Sequence, residues 1–241
     1  MAGRVVILGA TGAIGGALAR RLTAAGRGLH LVGRDAGRLA ALAGELGATH
    51  AVADVMDEAA LAQAVVAAGA PIEGLAYCVG SIVMGPLRRA TGAAFVEAYR
   101  LNAAGAALAV AAAADGLRAA PGSGVVLFST VAARSGFANH AVIAAAKGAV
   151  EGLTVALAAE LAPHVRVNCI APSLTRSGIA APLLANEAVA RAIAAQHPIP
   201  RLGEGEDAAA LAAFLLGPEA GWITGQVMAV DGGRSTVRTK G

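Results

Sequence analysis

Gly9-Ala10-Thr11-Gly12-Ala13-Ile14-Gly15-Gly16 lies between an apolar run, Val5 to Leu8, and an Ala/Leu-rich run, Ile14 to Ala25. The first run reads as a strand and the second as a helix, so the glycines form the turn of a β-to-α unit. Glycine permits a tight turn there and lets a phosphate group approach the backbone. The amides and dipole of the helix N-terminus then favour its negative charge. A glycine-rich turn alone says little, because such turns are common. Its place between a first strand and a first helix gives it weight.

The same alternation continues outward. Candidate strands are Val5–Leu8, Leu29–Val32, Thr49–Val52, Ile72–Val79, Val125–Ser129, Val165–Ile170 and Gln226–Val230. Helices at Ile14–Ala25 and Asp35–Leu46 separate the first three. Continuous apolar strands alternating with helices predict a parallel sheet buried on both faces. No repeat, low-complexity tail or Pro/Ser-rich linker divides the chain. The expected architecture is α/β: one doubly wound (Rossmann) domain over residues 1–241, with a parallel seven-stranded sheet and helices on both faces. The least regular segment, Ala171 to Arg201, holds Pro172, Pro182, Pro198 and Pro200. It leaves the carboxyl end of the sixth strand, where ligands bind in open α/β folds. It is a candidate lid, with a plain structural excursion as the alternative.

Composition narrows the partners. Hydrophobic residues are 56% of the 241, charged ones 15% and aromatics 3%, so a large core is available and Ala supplies much of it. Small side chains give flat helical faces. The net charge is +3, and Arg20-Arg21 and Arg88-Arg89 are the only adjacent basic pairs. Dispersed charge argues against a nucleic-acid surface. Cys78 and Cys169 sit in apolar runs without metal-ligand spacing and read as small buried residues, so no metal is expected. The N-terminus runs straight into a strand without a signal peptide. The longest apolar stretch is taken as Ala103 to Ala114, below a membrane span. A cytoplasmic protein with no membrane partner is expected.

The second strand ends at Leu31-Val32-Gly33-Arg34-Asp35. A carboxylate at the strand end would accept ribose hydroxyls, but that place falls on Gly33. A small residue followed by Arg34 leaves room and positive charge for a 2′-phosphate. This favours NADP(H). Asp35 keeps NAD(H) open through a one-residue shift, although its better-supported reading is a helix N-cap.

These motifs resemble those of the short-chain dehydrogenase/reductase family, and the likeness runs along almost the whole chain. Gly9, Thr11, Gly12, Ile14 and Gly15 belong to a glycine motif similar to the family's, with Ala13 where the main branch has its middle Gly and Gly12 carried instead, as in extended and atypical members. Asp54-Val55 resembles the pair that meets the adenine ring. Tyr77-Cys78-Val79-Gly80 stands where the family has Asn-Asn-Ala-Gly, and only Gly80 matches. Ile170-Ala171-Pro172-Ser173 resembles the turn whose Pro, here Pro172, contacts the nicotinamide. Arg201-Leu202-Gly203 with Asp207, Ile223-Thr224-Gly225-Gln226 and Val230-Asp231-Gly232-Gly233 resemble its C-terminal signature.

The resemblance also implies catalytic roles. Asn102 fits an Asn that maintains a water relay. Thr130, thirteen residues before position 143, fits a Ser that polarises the substrate oxygen. Lys147 fits a Lys that holds the nicotinamide ribose and lowers the pKa of a Tyr four residues earlier. That earlier position is Ile143, which cannot move a proton. Tyr77 and Tyr99 are not placed to replace it. His140 would share a helical face with Ile143 and Lys147 if the helix included it. The favoured alternative puts it in a pre-helix loop facing solvent, with Asn139 as cap.

Two functions follow as expectations. One is an NADP(H)-binding oxidoreductase acting on a small carbonyl or alcohol with impaired or altered proton transfer. The other is an inactive dinucleotide-binding regulator or partner subunit. A third reading, an NAD(P)-binding isomerase or epimerase, draws on the glycine pattern shared with extended members and is weakened by the short C-terminal region, which leaves little room for a substrate domain. The resemblance implies a homotetramer or homodimer.

Overall fold

The computed structural model describes residues 3–238. It begins with β1 (Arg4–Leu8), α1 (Ala13–Ala24), β2 (Gly28–Gly33), α2 (Ala36–Leu46), β3 (Thr49–Val52), α3 (Glu58–Val66) and β4 (Ile72–Tyr77). The second half adds α4 (Gly92–Tyr99), α5 (Gly105–Arg118), β5 (Ser123–Phe128), α6 (Ala132–Ser135), α7 (Ala141–Leu161) and β6 (Val165–Pro172). Then follow α8 (Ala181–Leu184), α9 (Glu187–Ala194), α10 (Gly205–Leu215) and β7 (Val227–Val230).

The strands form one parallel sheet in the order β3-β2-β1-β4-β5-β6-β7. The order reverses between β1 and β4, and that reversal opens a crevice at the strands' carboxyl ends. Alternation along β1 shows why both faces bury. Val6 and Leu8 join the core with residues of α3, α5 and α7, whereas Val5 and Ile7 join the core with α1, α2 and α10.

Small residues set the helix spacing. At the start of α10, a Cβ on Gly205 would collide with the Ala13 carbonyl at the start of α1. Asp35 caps α2, accepting from Arg38 N at 3.0 Å, which is the cap reading of that residue. β4 stops two residues short of Val79. Cys78 N still donates to Leu8 O at 2.9 Å, and the chain then leaves the ladder.

The apolar stretch Ala103 to Ala114 is not the longest. The 21-residue α7 is long and apolar enough by length and composition to cross a membrane. It carries buried Lys147 and Glu151 and packs against β6 and α4; one face, with Val150, Ala158 and Leu161, is buried in the core, while Val155 is exposed.

Candidate active site

A cleft of about 1640 Å³ lies at the carboxyl end of the sheet. Gly9, Thr11, Gly12 and Ile14 line one end, as do Gly33, Arg34, Asp54 and Val55; Gly80, Thr130, Ile143, Lys147 and Pro172 line the other. Gly9 has φ +74°, and a Cβ there would come within 2.9 Å of the Cys78 carbonyl. One on Gly12 would crowd the Gly9 carbonyl at 3.2 Å. Gly15 departs from its expected role. It is buried in α1 rather than on the cleft wall, and a side chain there would strike Gly9. Its bareness lets α1 start close beneath the turn.

At the β2 end, Arg34 is exposed and lies 3.9 Å from the Asp54 carboxylate. Arg38 also lines the cleft and donates to Thr11 O at 2.8 Å. Its position, one turn beyond Arg34, was the available signal that sequence reading missed. The Asp54 carboxylate also accepts from Met56 N at 2.9 Å, and Val55 is buried in the core.

At the other end, Asn102 lies in a π-helical turn (Arg100–Ala104) joining α4 to α5. Such widened turns recur at functional sites. Tyr77 supports it by donating from its buried phenol to Leu101 O at 2.7 Å; burial raises the phenol's pKa and leaves it no route to the cleft. Tyr99 is half exposed at the end of α4 and does not line the cleft. Asn102 is behind the cleft wall. Its Nδ2 donates to Ala98 O at 2.8 Å and to Ser81 Oγ at 3.3 Å. Among the described residues its buried Oδ1 has no hydrogen-bond partner. Buried acceptors are normally satisfied, so this one is positioned for a water or a bound group. A Cβ on Gly80 would lie 3.1 Å from both Asn102 Oδ1 and Lys147 Nζ, so a bare Gly80 keeps the space next to these two atoms open.

Lys147 is buried, and its Nζ donates to Phe128 O at 2.7 Å. Thr130 is half-buried, its Oγ1 3.4 Å from Pro172 O. Between them, Ser129 Oγ donates toward Glu151 Oε1 at 2.9 Å and the Lys147 carbonyl at 3.2 Å, while Arg134 Nε meets Glu151 Oε2 at 2.5 Å. This network ties β5, α6 and α7 together around Thr130 and Lys147. Sequence reading missed it, because nothing local pairs position 129 with position 151.

Ile143 is buried, 4% exposed, and lies on the cleft wall. His140 is the N-cap residue of α7, without a side-chain cap bond. Asn139 does not cap; its φ of 66° is left-handed. Nor does His140 face only solvent. It is half-buried on the cleft wall, edge-on to Phe137 with centroids 5.6 Å apart, and its Nδ1 donates to Ala138 O at 2.7 Å. Cys78 lies just beyond β4 on the cleft, and Cys169 is within β6; burial pushes both thiols up to about 12, so they stay protonated. Among the described residues no acidic, His and Cys cluster could hold a metal. The segment after β6 folds as α8 and α9, and Thr175, Ile179, Leu183 and Ile193 close one side of the cleft.

Burial lowers the Lys147 pKa from 10.5 to about 8, because desolvation penalises the charged form. Between about pH 8 and 10.5 the unfolded chain holds more protons, so stability should rise with pH there. Below that window the cost of burying the charge is fully present. ¹³C NMR of the lysine ε-carbons in the unliganded protein should show one titration near pH 8. Lys240→Arg removes the only other Lys signal. A midpoint above pH 10 for Lys147 would contradict this environment.

The glycine cradle and the orphaned Asn102 Oδ1 beside Lys147 Nζ fit a dinucleotide spanning the cleft. Known proteins agree with the architecture. Residues 9–235 match the family model described as enoyl-(acyl carrier protein) reductase. A relative from Xanthobacter autotrophicus, named inactive 2-(S)-hydroxypropyl-CoM dehydrogenase 2, is 35% identical over 91% of this chain and 100% of its own length. A short-chain type dehydrogenase/reductase from Mycobacterium ulcerans superposes with a TM-score of 0.90 at 31% identity, over 98% of this chain and 90% of that one. A gluconate 5-dehydrogenase from Burkholderia cenocepacia, solved with NADP and tartrate, gives a TM-score of 0.90 at 26% identity, over 98% and 96%. With its doubly wound sheet, glycine turn and cleft, the chain belongs to the short-chain dehydrogenase/reductase family.

Proposed function

We propose that this chain is an NADP(H)-binding oxidoreductase acting on a small carbonyl or alcohol, with proton transfer altered by an apolar residue at the acid's position. One observation carries the reading. A single cleft joins the glycine cradle and Arg34 to Lys147, Thr130 and Ile143. The backbone of Gly9, Thr11 and Gly12 with the α1 N-terminus would hold the pyrophosphate. Arg34 and Arg38 would hold a 2′-phosphate, and Asp54 with Val55 the adenine. Lys147 would hold the nicotinamide ribose and Pro172 border the ring. When bound, the nicotinamide supplies or accepts the hydride. Thr130 would polarise the substrate oxygen, and Asn102 Oδ1 would order a water.

Ile143 contributes no proton. That leaves water, or His140, whose Nδ1 hydrogen is committed to Ala138 O, so only its Nε2 can exchange one. A second reading, a dinucleotide-binding protein without turnover, is favoured by the buried apolar Ile143 and by the relative named inactive.

Titration with NADPH and NADH tests the cofactor assignment. The only Trp, Trp222, is fully exposed, so the nicotinamide's own emission is the better signal. NADPH should bind more tightly; equal affinities would contradict the assignment.

A homotetramer or homodimer completes the proposal. Val96 and Tyr99 on α4, Leu108 on α5 and Val155 on α7 are exposed apolar side chains on neighbouring helices, which pairing would cover. Light scattering at micromolar concentration should give a dimer or tetramer mass. A monomer mass would contradict this.

A further inference from the structure

The cleft's charge is uneven. Among the described residues its only carboxylates, Asp35 and Asp54, follow β2 and β3 at the cofactor end. Beyond Lys147 the wall is apolar and hydroxyl-bearing, and it contains one cation, Arg234. Arg234 follows the Gly232-Gly233 turn after β7 and is half-buried. Among the described residues no carboxylate lies within 4.0 Å of it, whereas Arg34, the exposed cation at the cofactor end, lies 3.9 Å from Asp54.

Neutral groups hold this guanidinium instead. Its Nη2 donates to Gln196 Oε1 at 2.6 Å and its Nη1 to Ser173 Oγ at 3.4 Å. Its Cζ stacks over Phe137, 4.5 Å from the ring centroid. Ser173 is fixed in turn. Its hydroxyl donates to Nε2 of buried His197 at 2.8 Å, because His197 Nδ1 donates to Ile193 O at 2.9 Å. Two of the five N–H donors are thus engaged, each by a neutral acceptor. The nearby Asp231 carboxylate attracts the guanidinium from a distance, but its oxygens accept from Gly233 N and Ser235 N at 2.8 Å, so no carboxylate is bonded to the remaining donors.

The cation is also close to the proposed reacting centre. Ser173 directly follows Pro172, whose carbonyl lies 3.4 Å from Thr130 Oγ1. Phe137, beneath the guanidinium, packs edge-on against His140, three residues before Ile143.

We propose that Arg234 selects an anionic substrate: a small oxo acid, or the matching hydroxy acid, whose carboxylate pairs with the guanidinium while its carbonyl faces Thr130. A planar fork suits a carboxylate, and a stacked, preformed Arg loses little freedom on binding. The inference deepens the oxidoreductase reading and rests on it.

Calorimetry with NADP⁺ present tests it without turnover, since an oxo acid and an oxidised cofactor cannot react by hydride transfer. Short straight-chain oxo acids are each compared with their own methyl esters. At least one acid should bind about tenfold or more tighter than its ester. Arg234→Gln should abolish the difference while leaving NADP⁺ affinity unchanged, and Arg234→Lys should keep part of it. Equal binding of every acid and ester, no binding of any acid to the NADP⁺ complex, or a preference surviving in Arg234→Gln would each overturn the inference alone. Absence of NADP⁺ binding to wild type would overturn the oxidoreductase reading, and this inference with it.

Discussion

Ile143→Tyr is expected to raise the rate of carbonyl reduction by about 10²–10⁴-fold, the range typical of gaining a positioned acid. The reason is local. Lys147 lies one helical turn further along α7, its Nζ anchored to Phe128 O at 2.7 Å. Thr130 stands on the same cleft. A phenol at 143 would project from a helix that already presents its ammonium partner, and the ammonium would lower the phenol's pKa. The larger side chain has the cleft to enter. NADPH oxidation with a panel of aldehydes and ketones measures the gain. Ile143→Phe supplies the ring without the hydroxyl and should gain nothing. A gain from Phe equal to that from Tyr would assign the effect to shape rather than to proton transfer.

Arg34→Ala should cost about 1–3 kcal/mol of the preference for NADPH over NADH, the scale of a charge-assisted hydrogen bond lost without replacement. Arg34 is exposed and only loosely paired with Asp54, so swinging to a 2′-phosphate sacrifices little. Gly33, at the end of β2, offers no competing carboxylate. Arg38, tied to Thr11 O on the same wall, is a second donor. The double variant should therefore lose more than Arg34→Ala alone. An unchanged NADPH-to-NADH affinity ratio in the double variant would contradict this placement of the 2′-phosphate.

The doubly wound sheet was legible because its signals are local. Apolar runs set the strands, the Gly9–Gly16 segment set the first turn, and strand ends differed by only a few residues. β6 extends to Pro172 where the apolar run suggested Ile170, because pairing with β7 continues to Val230. Much of the cleft wall was legible too, since Gly9, Gly12, Arg34, Lys147 and Pro172 sit at ends of elements or on one helix face. What failed depended on packing between distant segments. Gly15 carries the helix start rather than the wall. Asn139 turned left-handed, which brought His140 to the cap and onto the cleft. The partners of Ser129, and of Arg234, are 22 and 38 positions away. No pattern in sequence links such positions; the sheet order does.

The most direct measurement is the steady-state rate of the wild-type protein with saturating NADPH and a broad carbonyl panel that includes short oxo acids. NADPH should bind, yet turnover should fall well below about 1 s⁻¹, under the usual enzyme range. Turnover at roughly 1–10³ s⁻¹ would contradict it, because an efficient acid would then exist despite Ile143. His140→Ala would identify that acid: loss of the rate assigns it to the imidazole, and an unchanged rate assigns the proton to water.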